Sequence, residues 1–162
     1  MAVPRGRGQR VAMITRRARP GLTLIELLFV LTVVGVLTGL AAPSLRHGLD
    51  RLAVRSARDA LAAGVARTRA FAVARGGAVL VVAPSQDAFW IEATSGEPLT
   101  ARVDLGRQYG VRLVVDGSPA EPLRLHFDGR GIGRLVNRSF HLRRGRAEAG
   151  LVLSSQGRPR RW

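Results

Sequence analysis

The chain has 162 residues, which fits one compact domain with one appended segment and argues against a two-domain enzyme. All 26 of its basic residues are arginine, and they exceed the 11 acidic residues by 15. No cysteine is present, which excludes disulfides, thiolate metal sites and a cysteine nucleophile. The histidines, His47, His126 and His141, lack the spacing of metal ligands, so we expect no metal and no cofactor.

The chain begins with a basic segment and continues with an apolar one. Residues 1–21 contain six arginines and no acid, and they end at Pro20-Gly21, which a helix does not readily cross. The next 24 residues, 22–45, are almost all apolar, with Glu26 as their one charged side chain. At about 1.5 Å per residue, a helix of this length would cross a hydrocarbon core of about 30 Å. We therefore predict a leader over 1–21 and a membrane span over 22–45.

Two other interpretations of residues 22–45 fit less well. A cleaved secretory signal has a shorter apolar core, and the nearest cleavage sequence, Leu40-Ala41-Ala42, is followed by an unfavourable Pro43. A core helix of a soluble protein rarely carries as many as 19 consecutive uncharged residues, the number found here over 27–45.

The helix is predicted to continue beyond the span as an amphipathic segment over residues 46–77, ending at Gly76-Gly77. Apolar and small residues form one stripe with spacings of three or four: Leu45, Leu49, Leu52, Ser56, Ala60, Gly64, Thr68 and Phe71. We expect this stripe to pack on the remainder of the chain.

That remainder, residues 78–162, is predicted to be β-rich. Short apolar runs are separated by Gly, Pro, Asp and Asn, as in antiparallel sheets. The predicted strands are 78–83, 88–93, 99–105, 111–115, 123–127, 132–136, 139–143 and 151–154, with turns at Asp128-Gly129 and Asn137. The predicted fold class is α+β, with a long N-terminal helix packed on an antiparallel β-sandwich.

The excess positive charge is concentrated at the end of the chain. Residues 124–162 hold ten arginines and two acids, a net of +8, whereas residues 22–123 hold ten arginines and nine acids, a net of +1. Such an excess suggests an anionic partner: nucleic acid, anionic lipid or an acidic neighbouring subunit. Surface charge without a ligand, set by arginine-rich codon usage, is the alternative.

The junction between leader and span is the most specific motif. Arg16-Arg17-Ala18-Arg19-Pro20-Gly21, followed by Leu22-Thr23-Leu24-Ile25-Glu26, resembles the class III signal of type IV pilins and type II secretion pseudopilins. The resemblance implies that a prepilin peptidase cleaves after Gly21, that Leu22 becomes the methylated N-terminus, and that Glu26 is the fifth mature residue. The usual first mature residue is Phe, so Leu22 departs from the pattern. Initiation at Met13 would leave a nine-residue leader with three arginines.

Glu26 is the predicted assembly residue. A carboxylate within an apolar span costs up to about 2.5–3.5 kcal/mol at mid-helix unless it has a partner. In the family that Glu26 resembles, the partner is the new α-amino group of an adjacent subunit, and the pair sets the axial stagger of the filament. A simpler interpretation is that Glu26 complements the positive end of its own helix, worth about 0.3–1 kcal/mol.

The leader arginines predict the topology. They precede the span and favour a cytoplasmic N-terminus, which places residues 78–162 in the periplasm. We therefore expect a single-pass protein of the inner membrane.

The C-terminal half resembles the GspH/FimT branch of this family, whose members place a long helix against a β-sandwich. The resemblance rests on Phe127-Asp128-Gly129-Arg130-Gly131 and on Leu151-Val152-Leu153-Ser154 followed by Ser155-Gln156-Gly157-Arg158. It implies a pilin-like, H-type minor pseudopilin of the type II secretion pseudopilus that assembles with other pseudopilins or pilins.

The alternative function is a minor type IV pilin that binds DNA for uptake. Some pilus relatives do so through a basic tail with a Gly-Arg-x-Arg pattern, which residues 157–160 match, and we expect an exposed arm stiffened by Pro159. Trp162 is placed to stack on a base. The candidate DNA-binding residues are Arg158, Arg160, Arg161 and Trp162, together with Arg143, Arg144 and Arg146.

Two further classes are less well supported. Ser139, His141 and Asp128 could form a hydrolase triad on paper, but no nucleophile elbow accompanies them, so we expect no enzyme. The glycine-rich residues 129–133 open no helix and predict a hairpin turn and not a phosphate loop. A simple membrane-anchored periplasmic domain would not need Glu26 five residues after Gly21.

Overall fold

The computed structural model describes residues 23–117, 121–134 and 137–162, and the side chains of residues 41–43 are outside this description. The predicted leader 1–21 and Leu22 therefore lie outside the described residues, as does the end of the predicted strand 132–136. The chain divides into two units, Met1–Gly39 and Leu40–Trp162.

In the first unit, the described residues form the beginning of helix α1 (Leu24–Arg75). Their large apolar side chains are exposed all round, as shown by Leu24, Phe29 and Leu37. By length and composition, α1 could cross a membrane. A helix that is apolar on every side needs an apolar surrounding, which agrees with the predicted span.

In the second unit, α1 packs through a face that differs from the predicted stripe. Leu45, Leu49 and Leu52 are about two-thirds exposed, so the prediction is wrong for them, whereas Gly64 and Thr68 are buried. The buried hydrophobic residues of α1 are Val54, Ala57, Leu61, Ala62, Val65 and Ala72. Because the helix is rich in alanine, adjacent stripes differ little in hydrophobicity, and the large leucines did not identify the packed face.

The remaining elements follow α1 in chain order. They are β1 (Gly77–Ala83), a 3-10 turn (Pro84–Gln86), β2 (Ala88–Ala93), β3 (Val103–Asp104), α2 (Leu105–Tyr109), β4 (Arg112–Val115), β5 (Leu123–Asp128), β6 (Arg138–Arg144), β7 (Ala147–Leu153) and β8 (Pro159–Arg161). They form sheet 1, with strand order β3-β2-β1-β5, and sheet 2, with strand order β4-β6-β7-β8. All adjacent strands are antiparallel, which confirms the α+β fold class.

The β-rich region differs from prediction in three places. The predicted strand 99–105 is shortened to β3. It ends at Asp104, because the Asp104 side chain accepts a hydrogen bond from the N–H of Arg107 and caps α2. Within its described part, the predicted strand 132–136 makes only an isolated bridge, between Gly133 and Phe127. The third difference is β8, which pairs with β7 where we expected an arm.

The turn at Asp128-Gly129 is confirmed. The Asp128 carboxylate accepts hydrogen bonds from the N–H groups of Arg130 and Ile132, at 2.9 and 3.0 Å. The bond from Ile132, followed by that from Arg130, lowers the pKa of Asp128. Arg69 on α1 donates through Nε to the Gly131 carbonyl at 2.9 Å. The glycine-rich segment is therefore a turn held against the helix.

One hydrophobic core lies between α1 and the two sheets. Sheet 1 contributes side chains such as Leu80 and Phe127, and sheet 2 contributes side chains such as Phe140 and Leu151. These side chains alternate with outward-facing ones along each strand, as the pleat requires. The second half of α1 is therefore an integral part of the folded domain.

β1 is buried on both of its faces. Opposite the core, Val79 and Val81 are almost fully buried, although no helix covers this side within the described residues. The cross-strand neighbours are Glu92 and His126 for Val79, and Trp90 and Arg124 for Val81. The Glu92 carboxylate accepts from Trp90 Nε1 at 2.7 Å and pairs with Arg124. These polar side chains close over the two valines.

Candidate functional site

The first candidate site is the beginning of α1, around Glu26. The Thr23 hydroxyl accepts a hydrogen bond from the Glu26 N–H at 3.3 Å, and the Thr23 carbonyl accepts from the Leu27 N–H at 3.1 Å. Thr23 therefore caps the helix and satisfies one of its first N–H groups. The Thr-x-x-Glu spacing is the sequence signal of such a cap, so this role of Thr23 could have been predicted.

The Glu26 side chain itself is exposed on α1. No ion pair involves it among the described residues, so its carboxylate is available to a partner outside the chain. The predicted processing residues Gly21 and Leu22 lie outside the described residues. The pairing of Glu26 therefore stays a prediction.

The polar groups that follow Glu26 are satisfied within the helix. Thr32 donates its hydroxyl to the Leu28 carbonyl at 2.8 Å, and Thr38 donates to the Val34 carbonyl at 2.7 Å. A hydroxyl bonded to its own helix can enter lipid without losing a hydrogen bond. Glu26 is thus the one side chain of this apolar segment whose chemistry calls for a partner.

The second candidate site is the basic C-terminal end, residues 158–162, which belongs to sheet 2. Gly150 on β7 and Trp162 exchange two backbone hydrogen bonds of 3.1 Å. The Trp162 ring covers Gly150, where a Cβ atom would lie only 2.0 Å from the ring. The ring also meets His141 edge to face, with 5.5 Å between centroids. The expectation of an arm is therefore wrong, although the side chains of 158–162 remain exposed.

The candidate DNA-binding arginines differ in whether they have a partner within the chain. Three of them pair with acids of their own domain: Arg143 with Glu148 at 3.2 Å, Arg144 with Asp50 at 3.0 Å, and Arg161 with Asp59 at 3.7 Å. The others, Arg146, Arg158 and Arg160, make no ion pair among the described residues. Because Asp50 and Asp59 lie on α1, far away in sequence, no local motif indicated these pairs.

His141 lies in an acidic cluster on the outer face of sheet 2. Its Nδ1 is 2.7 Å from Glu148 Oε1 and its Nε2 is 3.2 Å from Asp116 Oδ1. The hydrogen bond with Glu148 raises the pKa of His141, and Asp116 raises it further, against the opposing effect of partial burial. In turn, His141 and then Arg143 lower the pKa of Glu148. The acids beside His141 are therefore not Asp128, the acid of the hydrolase triad considered from the sequence. In the described ranges, no group of three or more His, Asp or Glu side chains could hold a metal ion.

Comparison with known proteins identifies the family. The prokaryotic N-terminal methylation motif matches residues 16–42. The pilin-like protein PilA1 of Thermus thermophilus is 35% identical over 154 residues, which cover 88% of this chain and 97% of that protein. The chain belongs to the type IV pilin-like family. Type II secretion system protein H of Xanthomonas campestris pv. campestris is 30% identical over 145 residues, covering 88% of this pilin-like chain and 85% of the relative.

The same fold occurs in solved structures. Two crystal structures of the type IV minor pilin FimU from Pseudomonas aeruginosa match with TM-scores of 0.52 and 0.51, at 19% and 18% identity. They cover 66% and 67% of this pilin-like chain, and 86% and 91% of the FimU chains. Members of the family are structural filament subunits, so the chain is a pilin-like or pseudopilin-like subunit and not an enzyme. The methylation motif implies processing by a prepilin peptidase and assembly with other pilins or pseudopilins.

Proposed function

We propose that the chain is an H-type minor pseudopilin, a structural subunit of a type II secretion pseudopilus that supports protein export. The observation that carries the proposal is Glu26, an exposed carboxylate in the first turn of an otherwise apolar helix. The similarity to type II secretion protein H over most of its length supports the secretion role.

In this proposal, a prepilin peptidase removes residues 1–21 by cleaving after Gly21, and Leu22 is then methylated. The mature chain is anchored in the inner membrane through residues 22–45. The arginines of the leader hold the N-terminus in the cytoplasm, so that residues 78–162 lie in the periplasm. Residues 46–77 continue the helix between the anchor and the β-rich domain.

Assembly follows from the chemistry of cleavage. Cleavage creates a cationic α-amino group on Leu22 near one end of the span. In lipid, Glu26 and a cation of this kind each cost free energy alone, and they offset that cost when they pair. We propose that the carboxylate meets the amine of an adjacent subunit and fixes the subunit stagger.

Glu26→Gln tests this mechanism, because it removes the charge while keeping the size of the side chain. We expect cleavage and methylation to proceed as in the wild type, as measured by the mass of the mature N-terminus. Incorporation into isolated filaments should be lost. Glu97→Gln, on an exposed loop of the second unit, is the matched control and should assemble normally. Normal incorporation of Glu26→Gln would contradict the pairing.

A second candidate function is that of a DNA-binding minor type IV pilin. The observation in its favour is that Arg158 and Arg160 are exposed beside Trp162, with no ion pair among the described residues. Arginines that hold no carboxylate are available to phosphates, and Trp162 offers a ring for base stacking.

The replacement of Arg158 and Arg160 by Gln should weaken the retention of single-stranded DNA at low salt. Arg161→Gln should have a smaller effect, because Asp59 already engages Arg161. Arg138→Gln, on an exposed residue of β6, is the charge-matched control. Equal retention by all of these variants would remove the DNA-binding function and leave the secretion role.

A further inference from the structure

A cavity at the β4 edge of sheet 2 brings three arginines together. It has a volume of about 610 Å³ and is lined by Arg112 of β4, by Arg143 and Arg144 of β6, and by Val111 and Val114. Against these three arginines, Asp87 is the only acid among the described residues that line the cavity, and its Oδ1 accepts a hydrogen bond from the Leu113 N–H at 2.7 Å. The cavity is therefore positively charged.

Two of these arginines stand directly opposite each other. Arg112 and Arg143 are cross-strand partners in the β4–β6 ladder. Like charges in this position repel and destabilise a sheet. Arg143 and Arg144 have the partners Glu148 and Asp50, but Arg112 is exposed and has no acid within ion-pair distance in the described part of the chain. The arrangement thus leaves one guanidinium uncompensated inside a recess, where an anion would relieve the repulsion.

The lining indicates which anion fits. No aromatic side chain lines the cavity, so an unstacked nucleic acid base would find no ring there. Trp162 is at the opposite edge of sheet 2, three strand spacings or about 14 Å from β4. The planar guanidinium groups already bind carboxylates of their own chain and match that geometry.

We propose that this cavity receives an acidic segment of a neighbouring filament subunit, with Arg112 as the residue that binds its carboxylate. The inference rests on the proposed assembly function and adds a second contact to it. Glu26 would set the stagger through the membrane helix, and the cavity would select an acidic neighbour through the β-rich domain.

Peptide binding tests the site on the full chain in neutral detergent. The probe is fluorescently labelled, acetylated hexaglutamate, with hexaglutamine as the uncharged control, and binding is measured by anisotropy at low salt. We expect the wild type to bind hexaglutamate and Arg112→Gln to bind it about tenfold more weakly. Arg138→Gln removes the same charge at the other end of β6 and should stay within about twofold of the wild type. Equal weakening by both variants would overturn the site, because it would indicate binding to net surface charge alone.

Two further measurements test whether the cavity binds nucleic acid and whether Arg112 and Arg143 repel each other. A labelled dodecathymidine that loses affinity in Arg112→Gln but not in Arg138→Gln would assign the cavity to nucleic acid and overturn the proposal. Arg112→Glu places a carboxylate opposite Arg143, so this variant should abolish hexaglutamate binding and melt at a higher temperature than Arg112→Gln. A lower melting temperature for Arg112→Glu would contradict the repulsion on which the inference depends.

Failure of this inference and failure of the assembly function have different signatures. If the cavity has no such role, Arg112→Gln binds hexaglutamate as well as the wild type, while the wild type still enters filaments. If the assembly function is wrong, the wild type is absent from filaments but still binds hexaglutamate through Arg112. A photo-crosslinker at Val114 should capture another pilin-like subunit in cells. Capture from Val152 alone, on β7 of the same sheet, would count against the cavity.

Discussion

Helix α1 lies close to β2 at Gly64, and the replacement of this glycine tests the packing of the helix. A Cβ atom at residue 64 would lie 2.5 Å from Cε2 of Phe89, about 1 Å inside an ordinary carbon contact. Phe89 is only 3% exposed, so its ring has little room to move. Overpacking of this kind costs about 1–3 kcal/mol, while alanine gains about 1 kcal/mol over glycine in a helix. We therefore expect Gly64→Ala to change stability by between about zero and 2 kcal/mol of destabilisation.

Gly48→Ala is the matched control. Gly48 lies on the same helix, and its added Cβ would meet no atom within 4 Å. This variant should therefore be more stable than the wild type by about 1 kcal/mol. The assay is urea unfolding of the full chain in neutral detergent, followed by the fluorescence of Trp90 and Trp162. The two variants should differ by about 1–3 kcal/mol, and equal stabilisation by both would refute the close contact between α1 and β2.

Three more predictions concern single side chains. Because the pKa of His141 is raised above its ordinary 6.5, its stabilising effect is present below that value and is lost as pH rises through the raised pKa. The melting temperature of the wild type should thus fall more than that of His141→Gln between about pH 6 and about pH 9, and equal slopes would contradict the role of the cluster. Thr23→Ala should accelerate hydrogen exchange of the Glu26 N–H about fivefold, as expected for loss of a cap worth about 1 kcal/mol, whereas Thr23→Ser should retain protection. Glu92→Ala leaves the Trp90 indole N–H without its acceptor and should lower the free energy of unfolding by about 1–3 kcal/mol in the same urea assay; an unchanged value would mean that the polar cover over β1 adds no stability.

The sequence predicted the elements that depend only on the residues within them. β2 begins and ends where its apolar run does, and β1 starts one residue before the predicted strand. The turn at Asp128 was predicted because its carboxylate binds the N–H groups of its own turn. Glu26 could be identified because a charge in an apolar segment stands out against its neighbours.

Elements that depend on distant partners could not be predicted in this way. Pro159 and Arg160 have low strand propensity, and β8 forms because β7 supplies the ladder and Gly150 leaves room for Trp162. Arg161 was predicted to bind DNA together with Arg158 and Arg160, but it differs from them because it pairs with Asp59 on α1. The contact between Arg161 and Asp59 joins residues about a hundred positions apart, which a pattern of local spacing does not encode.

The contribution of α1 to the domain core determines where the chain could be shortened. Its buried residues begin at Val54, and Asp50 anchors Arg144 one turn earlier. A soluble fragment that starts shortly before Asp50 would keep every helical side chain of the core. A fragment that starts at Gly64 would lose Val54, Ala57 and Leu61 and expose the sheets that they cover. The boundary between the membrane anchor and a fragment suited to crystallisation therefore lies within the continuous helix α1, well before β1.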